Sequence, residues 1–246
     1  ERGHEVILCE KQSRWGGVLR CEEKVSFKKN LDRYLNAQER AVQENPAITL
    51  HLNTTVTPEL AKSMKADVII AALGAHPVKP PIKGIDGKNV MAAEYAYENP
   101  EETGSSVAIL GGGLVGVELG IFLAQLGKKI TIIEMLDELN HGGNHLHAKG
   151  LAVEIQKYGI NVNLETKALE ITDKGVIAEN NDGQKLFEAD TVIYAVGQSP
   201  RQEEAMALHD CAPEFYVLGD CVSPKNITNA TSAAYEIARA IGRYGI

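Results

Sequence analysis

The stretch SVAILGGGLVGVE occupies residues 106–118. The apolar run Ser106–Leu110 predicts a buried strand, and a helix is predicted over about 113–126. Between them the glycines have the spacing G-x-G-x-x-G. The first permits a tight turn, the second lets the backbone approach a pyrophosphate, and the third lets helix and strand pack closely. The helix N-terminus adds free N–H groups and partial positive charge. The predicted dinucleotide phosphate site is Gly111, Gly113, Leu114, Val115 and Gly116.

Two acidic residues follow this turn. Glu134 comes eighteen residues after Gly116, at the end of the next predicted strand. A carboxylate there accepts hydrogen bonds from the adenosine ribose and repels a 2′-phosphate, so NADH is favoured over NADPH. Glu118 lies on the helix itself.

The neighbourhood of Glu134 has a counterpart at the start of the sequence. Residues 1–10 (ERGHEVILCE) align without gaps on residues 125–134 (QLGKKITIIE). Further on, residues 67–77 (DVIIAALGAHP) resemble residues 190–200 (DTVIYAVGQSP). The pattern is that of an internal repeat.

The spacing within the two copies also agrees. Glu10 and Gly74 are 64 residues apart, and their counterparts Glu134 and Gly197 are 63 apart. Matched landmarks at matched spacing predict two related nucleotide-binding domains. By this equivalence Glu10 is expected to bind the ribose of a second dinucleotide, and Gly74 and Gly197 join the predicted cofactor-binding residues.

The second copy contains a strand and a glycine turn, residues 106–124, before the aligned part. In the first copy these elements would precede residue 1. We therefore expect a fragment whose first domain lacks its opening strand. The alternative is a first copy that evolved without that strand.

The remaining pattern predicts an α/β fold of parallel sheets with an antiparallel meander. A helix is expected over Phe27–Glu44 with Ser26 as its N-cap, a meander over Ala168–Glu188, and a last helix over Thr231–Arg243. The predicted domains are 1–102 with 211–246, and 103–210.

Composition excludes several classes of protein. The net charge is −8 and basic residues do not cluster, which argues against nucleic acid as a partner. No apolar run is long enough for a membrane span. The cysteines at 9, 21, 211 and 221 form no C-x-x-C pair, which fits a reducing cytoplasm.

The whole chain resembles the C-terminal two-dinucleotide module of the old-yellow-enzyme-like NADH:flavin oxidoreductases, which include 2-enoate reductases, 2,4-dienoyl-CoA reductases and trimethylamine dehydrogenase. The specific motifs are Trp15–Arg20 (WGGVLR), Ala71–Gly74 (AALG), Gly111–Glu118 and Leu218–Cys221 (LGDC). In that family an upstream barrel carries FMN and an iron–sulfur cluster, and neither the barrel nor its cysteine cluster occurs in this sequence.

The resemblance implies an FAD-binding domain followed by an NADH-binding domain. It implies that Gly16 and Gly17 lie beside FAD, that Val56 contacts adenine through its backbone, and that Asp220 binds the ribityl chain. It also implies that Glu118 faces the nicotinamide side. No catalytic residue is assigned, because the cofactors perform the redox chemistry.

The function implied is hydride transfer from NADH to FAD, feeding a barrel that reduces an activated C=C bond. Two alternatives stay open: a module that only binds a nucleotide (ADP or NAD), and a stand-alone NADH-dependent reductase of a small iron–sulfur partner. A disulfide reductase is disfavoured, because a dithiol relay needs two thiols within reach. Histidines 141, 145 and 147 are expected in a solvated loop, with no metal site.

Overall fold

The computed structural model describes residues 2–141 and 144–242 and divides the chain into two compact units. The first unit contains the residues up to Arg20, Asn30–His76, and the residues from Gln198 onward. The second unit contains Cys21–Lys29 and Pro77–Gly197. In the described part of the chain, no helix has the length and apolar character needed to cross a membrane.

The second unit is built on a five-stranded parallel sheet with the strand order β5-β12-β6-β7-β8. The strands are β5 (Val90–Ala92), β6 (Ser106–Leu110), β7 (Lys129–Ile133), β8 (Asn161–Asn163) and β12 (Thr191–Tyr194). The central strand β6 is apolar and almost fully buried, as expected for a strand covered on both faces. Its helices are α3 (Ala93–Glu98), α4 (Leu114–Gln125) and α5 (His145–Lys157).

The predicted antiparallel meander is confirmed in the second unit. It consists of β9 (Lys167–Thr172), β10 (Gly175–Asn180) and β11 (Gly183–Glu188). The two turns fall where the Asp-Lys-Gly and Asn-Asp-Gly sequences predict them. A bulge between Ile177 and Ala178 shifts the register of β10 against β9.

The first unit contains three two-stranded sheets, in which β1 pairs with β2, β3 with β14, and β4 with β13. The strands are β1 (Val6–Cys9), β2 (Ile48–His51), β3 (Val68–Ala71), β4 (Ala75–Pro77), β13 (Gln198–Pro200) and β14 (Glu214–Val217). The helices are α1 (Lys29–Gln43), α2 (Pro58–Met64), α6 (Gln202–Met206) and α7 (Ile227–Ala240). The β1–β2 and β3–β14 pairs are parallel.

Two helix boundaries differ from the prediction. Ser26 begins a short 3₁₀ turn, Ser26–Lys28, without a capping hydrogen bond, so its assignment as N-cap of a helix from Phe27 was wrong. The last helix begins at Ile227, four residues early, because the Asn226 side chain accepts a hydrogen bond from the Asn229 N–H. The predicted end at Arg243 lies outside the described residues.

The internal repeat is present in the backbone hydrogen bonds. The N–H of Glu10 donates to the carbonyl of His51 at 2.9 Å, and the N–H of Glu134 donates to that of Asn163 at the same distance. Two residues beyond each acceptor, Asn53 and Glu165 both have positive φ. Their N–H groups donate to the carbonyls of Gln12 and Leu136, each at 2.9 Å. The two copies therefore share backbone hydrogen bonds beyond the residues that the sequence alignment matches.

The two units differ at the position that β6 occupies. In the second unit β6 lies between β12 and β7; in the described part of the first unit no strand lies between their counterparts β3 and β1. Val6 is 42% exposed whereas its counterpart Ile130 is 2% exposed, and Ile70 is 40% exposed whereas Ile193 is fully buried. No described strand of the first unit therefore takes the place that β6 has in the second.

The compact units also differ from the predicted domain boundaries. Residues 77–102 lie in the second unit, since β5 pairs with β12 there. Residues 198–210 lie in the first unit, where β13 pairs with β4. The segment Cys21–Lys29 belongs to the second unit, because Cys21 and Val25 are buried in its core.

Candidate functional site

The glycine turn of the second unit connects β6 to α4, as the sequence predicts. Gly111 has a φ of +110°, and a Cβ at this residue would lie 2.4 Å from the carbonyl oxygen of Ala195. A Cβ at Gly116 would lie 2.1 Å from the carbonyl oxygen of Gly111. Side chains at either position would thus force the turn open.

The N-terminus of α4 is open to a ligand. Gly113 is its N-cap, and a Cβ there would meet no atom within 4 Å. The Val117 N–H makes the first helical bond, to the Gly113 carbonyl at 3.0 Å, so the N–H groups of Leu114 and Val115 have no acceptor within the helix. These features fit a pyrophosphate.

Glu134 follows the last residue of β7 and holds the glycine turn. Its Oε2 accepts a hydrogen bond from the Gly112 N–H at 2.5 Å, and its Oε1 accepts one from the Leu136 N–H at 2.8 Å. The Gly112 carbonyl in turn accepts from the Asn140 N–H at 2.8 Å. The carboxylate is thereby fixed at the carboxyl end of the sheet, beside the turn, which is where such folds bind their ligands.

Glu118 is the centre of a buried ionic network. Its side chain is 4% exposed; its Oε2 lies 2.5 Å from the Nζ of Lys28, and its Oε1 lies 3.0 Å from the Nε2 of His147. Lys28 also lies 2.7 Å from Glu22. Since a carboxylate only accepts hydrogen bonds, Nε2 of His147 carries the hydrogen in this contact.

This network changes the ionisation of Lys28. Burial alone would lower the pKa of Lys28, but the negative charges of Glu22 and Glu118 outweigh it and raise the pKa above its ordinary value. The ammonium form is therefore the stable one, and Glu118 is a member of a charged cluster within the second unit.

No pattern in the sequence indicates Lys28 as a partner of Glu118, because ninety residues separate them. The structure brings them together through the segment Cys21–Lys29, in which Ser26 also donates to the side chain of Gln125 at 3.1 Å. The histidines are a second difference. His145 and His147 both lie on α5, and His147 contacts Glu118, so the assignment of these two histidines to a loop was wrong.

In the first unit Glu10 repeats the local geometry of Glu134. Its Oε1 accepts a hydrogen bond from the Gln12 N–H at 2.8 Å, as Glu134 Oε1 does from Leu136. The Glu10 carboxylate lies at the carboxyl end of β1 and is only partly buried. That Glu10 binds a ribose hydroxyl stays a prediction.

The other predicted FAD residues also lie in the first unit. Gly74 follows β3 and Asp220 follows β14, so the parallel pairing places both beyond the carboxyl ends of neighbouring strands. Gly16 and Gly17 both have positive φ and begin the 3₁₀ segment Gly17–Lys24. Val56 packs against the buried cluster that contains Ala61.

These residues fit the adenosine and ribityl ends of FAD better than its centre. Carboxylates are present at Glu10 and Asp220, and a Cβ on Gly74 would meet no atom within 4 Å. The N-terminus of α7 is capped by Asn226. A pyrophosphate-binding turn equivalent to residues 111–116 does not occur among the described residues of this unit. The described residues of the first unit are therefore compared with only the sugar and ribityl parts of FAD.

The cysteines do not form a redox pair within the described chain. All four are free, and three of them (Cys21, Cys211 and Cys221) are buried. Burial, assisted by nearby carboxylates, raises the pKa of Cys21 well above its ordinary value. A thiol held in its neutral form is a poor nucleophile. No group of three potential metal ligands occurs among residues 2–141 and 144–242.

Each of the two α/β units has a carboxylate at the carboxyl end of a parallel strand, an arrangement typical of dinucleotide-dependent oxidoreductases. The chain belongs to the pyridine nucleotide-disulphide oxidoreductase family, which matches residues 4–234. It is a flavin-dependent pyridine nucleotide oxidoreductase domain. The predicted flavin and nicotinamide cofactors are those of this class.

Individual relatives agree with this assignment. The chain is 30% identical to NADH oxidase of Thermoanaerobacter brockii over 97% of its length, and 30% identical to cinnamate reductase of Clostridium sporogenes over 98%. Among solved structures, a complex of 2-naphthoyl-CoA reductase with 2-naphthoyl-CoA matches 96% of this chain with a TM-score of 0.90 and 26% identity. The predicted resemblance to enoate-reductase-like flavoproteins is thereby confirmed.

The chain spans only part of these proteins. It covers 37% of the NADH oxidase, 36% of the cinnamate reductase and 36% of the naphthoyl-CoA reductase chain.

Proposed function

We propose that this chain binds NADH and FAD and transfers a hydride from the first to the second. The observation that carries the proposal is the duplicated carboxylate: Glu10 and Glu134 end equivalent strands and accept the same local hydrogen bond. In this proposal the second unit holds NADH at residues 111–116 and Glu134, and the first unit holds FAD at Glu10, Gly16, Gly17, Val56, Gly74 and Asp220.

The residues of the chain bind and orient the cofactors. The α4 N-terminus holds the nicotinamide dinucleotide by its phosphates, and Glu134 selects a ribose without a 2′-phosphate. When bound, FAD supplies a two-electron acceptor that can pass electrons on singly. Gly197 follows β12 and has a φ of +108°. Glu118 stays in its ion pair with Lys28.

We further propose that the chain is part of a longer enzyme whose barrel domain carries FMN and an iron–sulfur cluster and reduces an activated C=C bond. The names cinnamate reductase and 2-naphthoyl-CoA reductase among the relatives support this substrate class. So does the share of those proteins that the chain covers.

Anaerobic mixing tests the proposal. The chain is saturated with FAD, freed of unbound flavin and mixed with NADH. Loss of the visible flavin absorbance with saturating dependence on NADH is expected; bound flavin that NADH leaves oxidised would contradict the proposal.

A second function is binding of ADP or NAD without flavin, because the Glu10 carboxylate that is proposed to bind the adenosine ribose of FAD could equally bind that of ADP. It predicts a colourless protein that takes up no FAD on titration yet binds ADP.

A further inference from the structure

One buried thiol lies between two of the residues assigned to FAD. The Sγ of Cys221 accepts a hydrogen bond from the N–H of Gly74 at 3.0 Å, and the side chain of Cys221 is fully buried. Gly74 follows β3, and Cys221 follows Asp220 directly in the turn after β14.

The contact connects two strand ends that carry ligand-binding residues. β3 and β14 are paired in parallel, and the Leu218 N–H extends this pairing to the Ala71 carbonyl at 3.0 Å. Beyond that bond Gly74 has a φ of +77° and Gly219 a φ of +68°. The Cys221 sulfur connects the two segments again through the N–H of Gly74.

The surroundings explain why a thiol suits this position. Cys221 is buried among Ala71 and Ala205, with Val217 packed against the same cluster. Sulfur is apolar enough for these neighbours and can still accept a weak hydrogen bond. Burial raises the pKa of the Cys221 thiol, which keeps it neutral.

Each of the two turns has a further hydrogen bond. The Gly74 carbonyl accepts from the Arg201 N–H at 3.2 Å, and the Oδ1 of Asp220 accepts from the Lys225 N–H at 3.3 Å. Gly74 is therefore fixed through its N–H by Cys221 and through its carbonyl by Arg201. Removal of the sulfur would release one of these two connections.

We propose that Cys221 is a positioning residue for the flavin: its sulfur sets the distance between the Gly74 backbone and the Asp220 carboxylate. This inference rests on the proposed placement of FAD in the first unit. Cys221 lies in the first unit, whereas NADH is proposed to bind the second, so the expected effect of Cys221 is on flavin binding.

Substitution of the thiol tests the inference. Cys221→Ala removes the acceptor, and FAD dissociation constants from flavin fluorescence titration are expected to rise about tenfold, the cost of an unpaired N–H. Cys221→Ser keeps an acceptor and is expected to restore most of the affinity. The matched control is Cys211→Ala, since Cys211 is a buried thiol of the same unit whose Sγ contacts the Pro58 carbonyl instead.

A second measurement does not depend on FAD. Hydrogen exchange at the Gly74 amide, followed by NMR in the ligand-free protein, should be slow in the wild type and in Cys221→Ser, and fast in Cys221→Ala.

The outcomes separate the two proposals. Equal FAD affinity in Cys221→Ala and wild type, or an equal loss in Cys211→Ala, overturns the positioning role while the proposed function stands. Slow exchange of Gly74 in Cys221→Ala overturns the contact itself. A wild-type chain that takes up no FAD overturns the proposed function, and the role of Cys221 toward flavin with it.

Discussion

The carboxylate of Glu118 lies 2.5 Å from the ammonium of Lys28, ninety residues earlier in the chain, and both side chains are largely buried. Glu118 lies on α4, two residues after the last glycine of the turn. Lys28 belongs to the segment Cys21–Lys29, of which Cys21 and Val25 are buried in the core of the second unit. The pair therefore fastens the 21–29 segment to the helix that would bind the dinucleotide phosphates.

Breaking this pair should destabilise the second unit. Lys28→Met leaves Glu118 buried with only His147 as a partner, and the free energy of unfolding should fall by about 2–4 kcal/mol, since a buried charge loses its counterion. Urea denaturation measures this free energy of unfolding. Lys24→Met is the matched control, because Lys24 is exposed and donates only to the Glu98 carbonyl. A loss in Lys28→Met no larger than in the control would contradict the role of the pair.

The same pair predicts a pH dependence of stability. The folded pKa of Lys28 is raised, so its contribution is complete below the unfolded pKa of about 10.4 and is lost as the pH rises through the folded value. The stability difference between wild type and Lys28→Met should therefore stay constant up to about pH 10 and shrink as the pH rises beyond the unfolded pKa of about 10.4. A difference that stays constant beyond this pKa as well would show that Lys28 contributes through packing alone.

His147 should contribute less than Lys28. His147→Ala removes one hydrogen bond to Glu118 from a half-exposed ring, and a loss of about 1 kcal/mol in unfolding free energy is expected. His145→Ala is the control, because it lies two residues away on the exposed first turn of the same helix. Equal losses of unfolding free energy in the two variants would show that the loss comes from the helix propensity of α5 and not from the contact between His147 and Glu118.

Glu134 should determine coenzyme preference. Glu134→Arg removes the ribose acceptor and adds a charge that attracts a 2′-phosphate, so the ratio of NADH to NADPH affinity should fall by about tenfold or more. Titration of both coenzymes measures it. Glu138→Arg makes the same charge change at an exposed residue that pairs with His141, and should leave the ratio nearly unchanged. Unaltered selectivity in Glu134→Arg would remove Glu134 from its assigned role.

An added strand should complete the first unit. The exposed apolar residues Val6 and Ile70 correspond to residues that β6 helps to bury in the second unit. A chain extended before residue 1 by a strand, a glycine turn and a helix, about twenty residues in all, should bind FAD more tightly than the unextended chain. Equal affinity of the two chains would argue against the predicted truncation.

The sequence was most informative where function depends on local spacing. The glycines of residues 111–116 and the strand before them determine a turn that only small residues can form, since Cβ atoms at Gly111 and Gly116 would overlap carbonyl oxygens. The repeat likewise predicted that Glu10 and Glu134 are equivalent. It succeeded because each carboxylate is fixed by the backbone two residues further on, an interaction that local sequence controls.

Only the tertiary structure decided which distant side chains meet. No periodicity or spacing places Lys28 or His147 beside Glu118, or Cys221 beside Gly74, because these contacts depend on how the elements pack and not on the propensity of any one of them. For the same reason residues 21–29 belong to the second unit, because Cys21 and Val25 are buried in its core and burial of apolar side chains is favourable. Local sequence determines the glycine turn and the conformations of Glu10 and Glu134, whereas long-range packing determines which side chains contact Glu118 and Gly74.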